Sequence, residues 1–168
     1  MSSSLGQTSF AIRTATRKDL PAIMGIYNWA INQTFATIDP EPLSREEAAA
    51  WWDDHASRIL TLVAEDEGDV IGWAQLLPWR QRGYEVVEDL VYVDPVYQKK
   101  GVGRELLSSA IDAARSTGCR TIVASVAADN GAGLRLHQSQ GFEVVGTIKN
   151  AAHKFGRWMD VTLVQRSL

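Results

Sequence analysis

The sequence predicts an α/β fold, a mixed central sheet of about seven strands with helices on both faces. Three observations predict it. Segments of strand and helix character run in the order strand, two helices, three strands, helix, strand, helix, two strands, which needs both hairpins and crossovers. Thr121–Val126 is a short unbroken apolar run, as expected of a strand covered on both faces. Glu88–Gly118 reads as a strand, a turn, a basic loop with two glycines and an amphipathic helix.

Taken in order, Phe10–Thr14 is a short strand. Thr16 and Asp19 stand as a capping hydroxyl and an acid three residues on, and Pro21 falls in the first turn. Ile23, Ile26, Tyr27, Ala30 and Ile31 then mark one face of a helix ending near Gln33. A loop with Pro40 and Pro42 follows. Ser44 and Glu47 form a second capping box, ahead of a helix carrying Ala48, Trp51 and Trp52 that is expected to end near Arg58. Leu60–Ala64 and Val70–Leu77 flank a polar turn at Gly68 and form a hairpin. Val86–Val93 is β-branched and aromatic, and Asp94-Pro95 ends it. Leu106, Leu107, Ala110, Ile111 and Ala114 line the buried face of the next helix, which Gly118 terminates. After Thr121–Val126 come a turn at Asp129-Asn130-Gly131 and a short helix through Leu134, Leu136 and His137, stopped by Gly141. Phe142–Ile148 and Trp158–Val164 are the last strands, joined by a loop holding His153, Lys154 and Gly156.

The 168 residues suit one domain, residues 10–168, behind a polar tail of residues 1–9 that lacks the charged start and apolar centre of a signal peptide. A net charge of −3 argues against a nucleic-acid partner. No apolar run is long enough to span a bilayer, so no membrane role is expected. Cys119 is the single cysteine, which rules out an internal disulfide and fits a cytoplasmic protein. No cluster has metal-ligand spacing.

Chemistry concentrates in Gln98-Lys99-Lys100-Gly101-Val102-Gly103-Arg104. Glycines let backbone N–H groups approach a ligand, the following helix adds its unpaired N–H groups and positive dipole end, and three side chains add full charges. Together they form an anion cradle, most simply for a pyrophosphate, or a solvated basic turn. No Gly-Lys-Ser/Thr follows, so this is not a P-loop, and the third glycine of a dinucleotide fingerprint is absent.

The loop resembles the Q/R-x-x-G-x-G/A loop of the GNAT superfamily of acyl-CoA N-acetyltransferases at every defined position. The order of elements also resembles the GNAT fold. The segments Ile26-Tyr27-Asn28-Trp29-Ala30, Trp79-Arg80, Leu136-His137 and Lys154-Phe155-Gly156-Arg157-Trp158-Met159-Asp160 are similar to the phosphinothricin and methionine sulfoximine (sulfone) acetyltransferases. The stretch from Trp79 to Glu88 is shorter than the family pattern, and Val86 replaces its usual threonine.

The resemblance implies acetyl-CoA as co-substrate, with Gln98, Lys99, Lys100, Gly101, Val102, Gly103 and Arg104 around the pyrophosphate. Val91, Tyr92, Val93 and Asn130 would meet the pantetheine arm, and a backbone donor near Val91 would face the oxyanion. The acceptor is expected to be the α-amine of a small amino acid or analogue, and the protein a homodimer. Glu88 interrupts a strand that otherwise reads as core, and is the candidate general base or ammonium anchor. Its neutral alternative is a carboxylate paired with Arg80, Arg82 or Lys154. Asp89 points to the opposite face and reads as solvated or salt-bridged. His137 is the candidate acid for the leaving thiolate or a base, against a helix histidine packed beside Leu136 with its polar end hydrogen-bonded. Arg80 is the candidate clamp for a substrate carboxylate. Phe35, Trp79 and Tyr84 are candidate walls of the side-chain pocket, and Lys154 either meets the substrate's anionic head or caps its loop. Acetylation of a protein N-terminus, a polyamine or an aminoglycoside, and a non-catalytic acyl-CoA-binding module, stay open as alternatives.

Overall fold

A computed structural model describes residues 9–55, 60–81 and 85–168. Seven strands form one sheet: β1 (Ala11–Thr14), β2 (Leu60–Asp66), β3 (Asp69–Pro78), β4 (Val86–Val93), β5 (Thr121–Ala127), β6 (Glu143–Lys154) and β7 (Arg157–Ser167), in the order β1-β2-β3-β4-β5-β7-β6. All neighbours are antiparallel except β4 and β5. The helices are α1 (Leu20–Gln33), α2 (Arg45–His55), α3 (Val102–Ser116) and α4 (Gly131–Ser139).

Helices cover both faces, because a sheet with apolar residues on each side must bury both. Leu20, Ile23 and Ile26 of α1, with Ala48 and Trp52 of α2, pack on Val63 and Trp73. Leu106, Leu107, Ala110 and Ile111 of α3 pack on Ile71, Ala74, Ile122 and Val164 across the other face. Both capping boxes form. The Asp19 carboxylate accepts from Thr16 N at 2.7 Å, while Ser44 N donates to Glu47 at 2.8 Å and Glu47 N to Ser44 Oγ at 3.2 Å.

The structure differs from the sequence expectation at two places, and a third expectation falls outside the described residues. The last two strands extend into one long hairpin, so His153 and Lys154 belong to β6 and only a tight turn at Phe155-Gly156 joins it to β7. A register irregularity between Ile148 and Ala152 hides this continuity from a strict period-two reading. α4 begins at Gly131, where the Asn130 side chain caps it by accepting from Gly133 N at 3.0 Å. α2 is described to His55, and the expected end near Arg58 lies outside the described residues.

The ladder between β4 and β5 positions the site. It holds for three pairs, Val86–Thr121, Val87–Ile122 and Glu88–Val123, and then stops. β4 continues to Val93 and β5 to Ala127, so the two strands part beyond Glu88. The β5-facing edge of β4 from Asp89 onward therefore has no ladder partner there.

Candidate active site

A cleft of about 630 Å³ opens where the strands part. Val91, Tyr92 and Val93 of β4 form one wall, and Asp129, Asn130, Ala132, Gly133 and Leu136 form the other. Trp29, Ala30, Thr34, Phe35 and Ala36 close it on the α1 side, and Gln98, Lys99, Gly101, Gly103 and Arg104 form its floor.

That floor is built by local backbone chemistry. Gly101 is the N-cap residue of α3 at φ +86°, in the left-handed region, and a Cβ there would meet nothing within 4 Å. Lys99 also has positive φ, at 60°. No side chain caps α3, so its first-turn N–H groups face the floor beside Lys99 and Arg104. Val102 turns its own side chain into the core, leaving its backbone to the loop. Lys100 lies 5.0 Å over the Tyr97 ring, outside the cleft lining. An open, glycine-formed, cationic cradle below an unpaired strand edge fits a diphosphate joined to an extended chain with amide groups, which is the chemistry of coenzyme A.

Glu88 occupies the last rung of the β4–β5 ladder. Its Oε1 accepts from Ser125 Oγ of β5 at 2.8 Å. Burial raises its pKa, the Ser125 bond lowers it, and the neighbouring Asp89 raises it; the balance is upward. The partner is thus a hydroxyl rather than Arg80 or Lys154, and Arg82 lies outside the described residues. Ser125 was not singled out in the sequence; its only signal is that it is a polar residue inside an apolar strand.

Asp89 is not solvated. It is 2% exposed, and its Oδ1 lies 2.9 Å from His137 Nε2. His137 Nδ1 lies 2.8 Å from Gly133 O, and the ring sits edge-on to Phe142 at 5.0 Å. Both ring nitrogens are therefore engaged, and His137 is not on the cleft wall. This is the packed, hydrogen-bonded arrangement of the structural alternative.

Lys154 is likewise taken. It is 4% exposed, and its ammonium donates to Thr34 O at 2.9 Å and Thr37 O at 2.8 Å. Burial lowers its pKa, opposed by Asp39. It caps the loop after α1 instead of offering a charge to a substrate. The same loop is gripped by the hairpin tip, where Phe35 meets Phe155 edge-on at 5.2 Å and lies 4.2 Å under the Arg157 guanidinium. Arg157 also donates to Asp129 at 2.9 Å, so it joins the two sides of the cleft.

Arg80 is exposed at the end of β3 with φ 56°, and the β3–β4 register sets that end beside Glu88 through the pair Leu77–Glu88. Trp79 is half-buried next to it. Tyr84 lies outside the described residues. Of the expected cofactor residues, Val91, Tyr92, Val93, Gln98, Lys99, Gly101, Gly103, Arg104 and Asn130 share the cleft, as does Phe35. Trp29, Asp129 and Leu136 also line it and were not anticipated. No group of histidine, cysteine or carboxylate side chains suited to a metal occurs among the described residues.

Residues 23–142 match the acetyltransferase (GNAT) family. The L-methionine sulfoximine/L-methionine sulfone acetyltransferase of Salmonella typhimurium is 40% identical over 162 residues, covering 94% of each chain. The phosphinothricin N-acetyltransferase of Streptomyces coelicolor is 31% identical over 169 residues, covering 97% of this chain and 99% of that one. A solved acetyltransferase structure from Salmonella typhimurium, with its cofactor acetyl-CoA, superposes with a TM-score of 0.89 at 38% identity over 95% of this chain and 94% of that one.

Proposed function

The chain belongs to the acetyltransferase (GNAT) family, and from that premise we propose that it transfers the acetyl group of acetyl-CoA to the α-amine of a small amino acid or analogue of the methionine sulfone, methionine sulfoximine or phosphinothricin type. The observation that carries the reading is the cleft between the parted strands with its cationic glycine cradle, and the half-buried Glu88 carboxylate at the last rung before the strands part. Acetyl-CoA supplies an activated thioester. The remaining work falls to this chain's own groups.

The loop from Gln98 to Arg104 and the start of α3 hold the diphosphate by backbone N–H groups and charge. The free edge of β4 holds the extended arm in the manner of an added strand, with Asn130 opposite. A backbone N–H near Val91 stabilises the oxyanion. Glu88, with its pKa raised by burial, takes a proton from the acceptor ammonium directly or through water. The amine nitrogen loses a second proton as the carbon–sulfur bond breaks, and the departing thiolate takes it, so no separate acid is needed. Arg80 stands exposed beside Glu88's end of the sheet and binds the acceptor carboxylate.

The homodimer reading is supported by the β6–β7 hairpin. Val144, Val145, Ile148, Phe155 and Trp158 are each more than half exposed along it, an apolar strip that a second copy would cover. The reduced chemistry expected of the lone Cys119 and the use of acetyl-CoA fit a cytoplasmic enzyme.

The test is thiol release from acetyl-CoA with a panel of amines. Methionine sulfone and sulfoximine should give turnover that Glu88→Gln abolishes while coenzyme A binding persists. Turnover with spermidine alone would sink the substrate assignment.

A further inference from the structure

Asp89 and His137 are buried, titratable and unused by the reaction described above. Asp89 is the first β4 residue past the last rung shared with β5. His137 belongs to α4, the helix that follows β5 and supplies the far wall of the cleft. Their 2.9 Å contact ties β4 to α4 just past the point where the ladder stops.

The bond does not end at His137. A carbonyl only accepts, so Nδ1 must carry a proton and donate it to Gly133 O at 2.8 Å. Gly133 N in turn donates to Asn130 Oδ1 at 3.0 Å. A chain of three hydrogen bonds thus runs from β4 through His137 and Gly133 to the cap of α4. Gly133 and Asn130 are both cleft-lining residues.

One further proton lies between Nε2 and Asp89 Oδ1. The pair is either imidazolium with carboxylate or imidazole with carboxylic acid, and in both states every ring nitrogen is occupied. Asp89 Oδ2 has no hydrogen-bond partner among the described residues, so its burial is tolerated only while Oδ1 is paired.

We propose that Asp89 and His137 are positioning residues that hold α4 at a fixed distance from β4 and so set the width of the acetyl-CoA cleft. The pair acts through Gly133 and Asn130 and exchanges no proton with the substrates. This rests on the acetyl-CoA reading of the cleft.

The experiment combines calorimetry of coenzyme A binding with steady-state kinetics and thermal unfolding. Asp89→Leu/His137→Leu replaces the pair by apolar groups and orphans neither partner. If loss of the tie lowers the binding-competent population to about a tenth, the coenzyme A Kd rises about tenfold. kcat at saturating acetyl-CoA should then stay within about threefold, because chemistry in the occupied cleft is unchanged. Asp89→Asn should bring the Kd back to within about threefold of the parent, since its amide N–H can donate to Nε2 while Nδ1 keeps Gly133. Should the double variant fail to fold, His137→Gln serves, because it loses the Gly133 carbonyl and should raise the Kd by about as much. An unchanged Kd in the folded variants overturns the proposal. So does a collapse of kcat at saturation in Asp89→Asn, which would put His137 in the proton path. Absence of coenzyme A binding by the parent protein would instead refute the cleft assignment itself.

Discussion

Removing the Ser125 hydroxyl tests whether Glu88 is the base. In the structure the Ser125 Oγ donates to Glu88 Oε1 at 2.8 Å, which favours the ionised carboxylate. Burial works the other way and leaves the pKa above its ordinary value. A hydrogen bond to a charged group contributes about 1.5–3 kcal/mol. Ser125 is exposed, so water replaces part of the loss, and about 1 kcal/mol is a fair expectation for Ser125→Ala. At 1.36 kcal/mol per pH unit that moves the Glu88 pKa up by about 0.7. A base must be deprotonated to act, so the acidic limb of kcat/KM moves to higher pH by the same amount while the plateau changes by less than about twofold. The assay is initial-rate thiol release across pH 5 to 9 with methionine sulfone at limiting concentration, beside Ser125→Thr, which keeps the hydroxyl and should leave the limb in place. A limb that stays still or moves to lower pH in Ser125→Ala would mean that the titrating group is not Glu88.

Lys154→Met keeps the apolar stem but leaves the Thr34 and Thr37 carbonyls unpaired, so urea unfolding should show a loss of about 2–4 kcal/mol; unchanged stability with a raised amino-acid KM would return Lys154 to the substrate. Gly101→Ala meets no neighbour yet must hold φ +86°, so the cost is confined to the loop backbone, about 1–2 kcal/mol. Where the free loop relaxes, the cost falls on binding and the coenzyme A Kd rises about threefold to tenfold, read by calorimetry; strain kept in the free protein lowers Tm by a few degrees instead. Asp19 is held down to about 2, chiefly by its bond from Arg13, opposed by burial and aided by Thr16 N. A depressed carboxylate contributes stability that is complete above its unfolded value and lost as pH falls through the folded one, here about 2 kcal/mol between roughly pH 4 and pH 2. Arg13→Ala should therefore cost most of this at pH 7, and the gap to the parent in urea midpoint should narrow below pH 4.

The parts of the site legible in the sequence are those made by local backbone chemistry. The cradle needs only glycines, a helix start and nearby cations within a few residues, and the structure brings most of that loop to the cleft floor. Strand alternation likewise placed Glu88 and Asp89 on opposite faces, and they are. What alternation does not carry is the partner. Asp89 meets a histidine 48 residues away, and Lys154 meets carbonyls 120 and 117 residues away. A single lysine two residues before a glycine reads as a loop cation until the pairing of β6 with β7 turns it inward. Ser125 was hidden for a related reason: one hydroxyl in an apolar strand looks like a tolerated interruption unless the facing carboxylate is known.

The interrupted ladder ties these residues into one device. Had β4 and β5 stayed paired to their ends, the strand edge from Asp89 to Val93 would be spent on β5 and no extended ligand could join the sheet. Parting the strands frees that edge but also removes what held β5 and its following helix in register with β4. Something must replace the lost rungs, and the polar contacts found there are Ser125 to Glu88 at the last rung and Asp89 to His137 just beyond it. The alternation of a strand sends these two adjacent carboxylates to opposite faces, so one is half-buried at the last shared rung and the other is sealed on the far side of the sheet. Exchanging their roles is not open to the fold. A one-residue slip of β4 would put Glu88 into the sealed face beside His137 and turn Asp89 towards Leu90's side, losing both contacts at once. The division of labour proposed for the two acids, one for the proton and one for the frame, would thus follow from the strand period and the point at which the ladder stops.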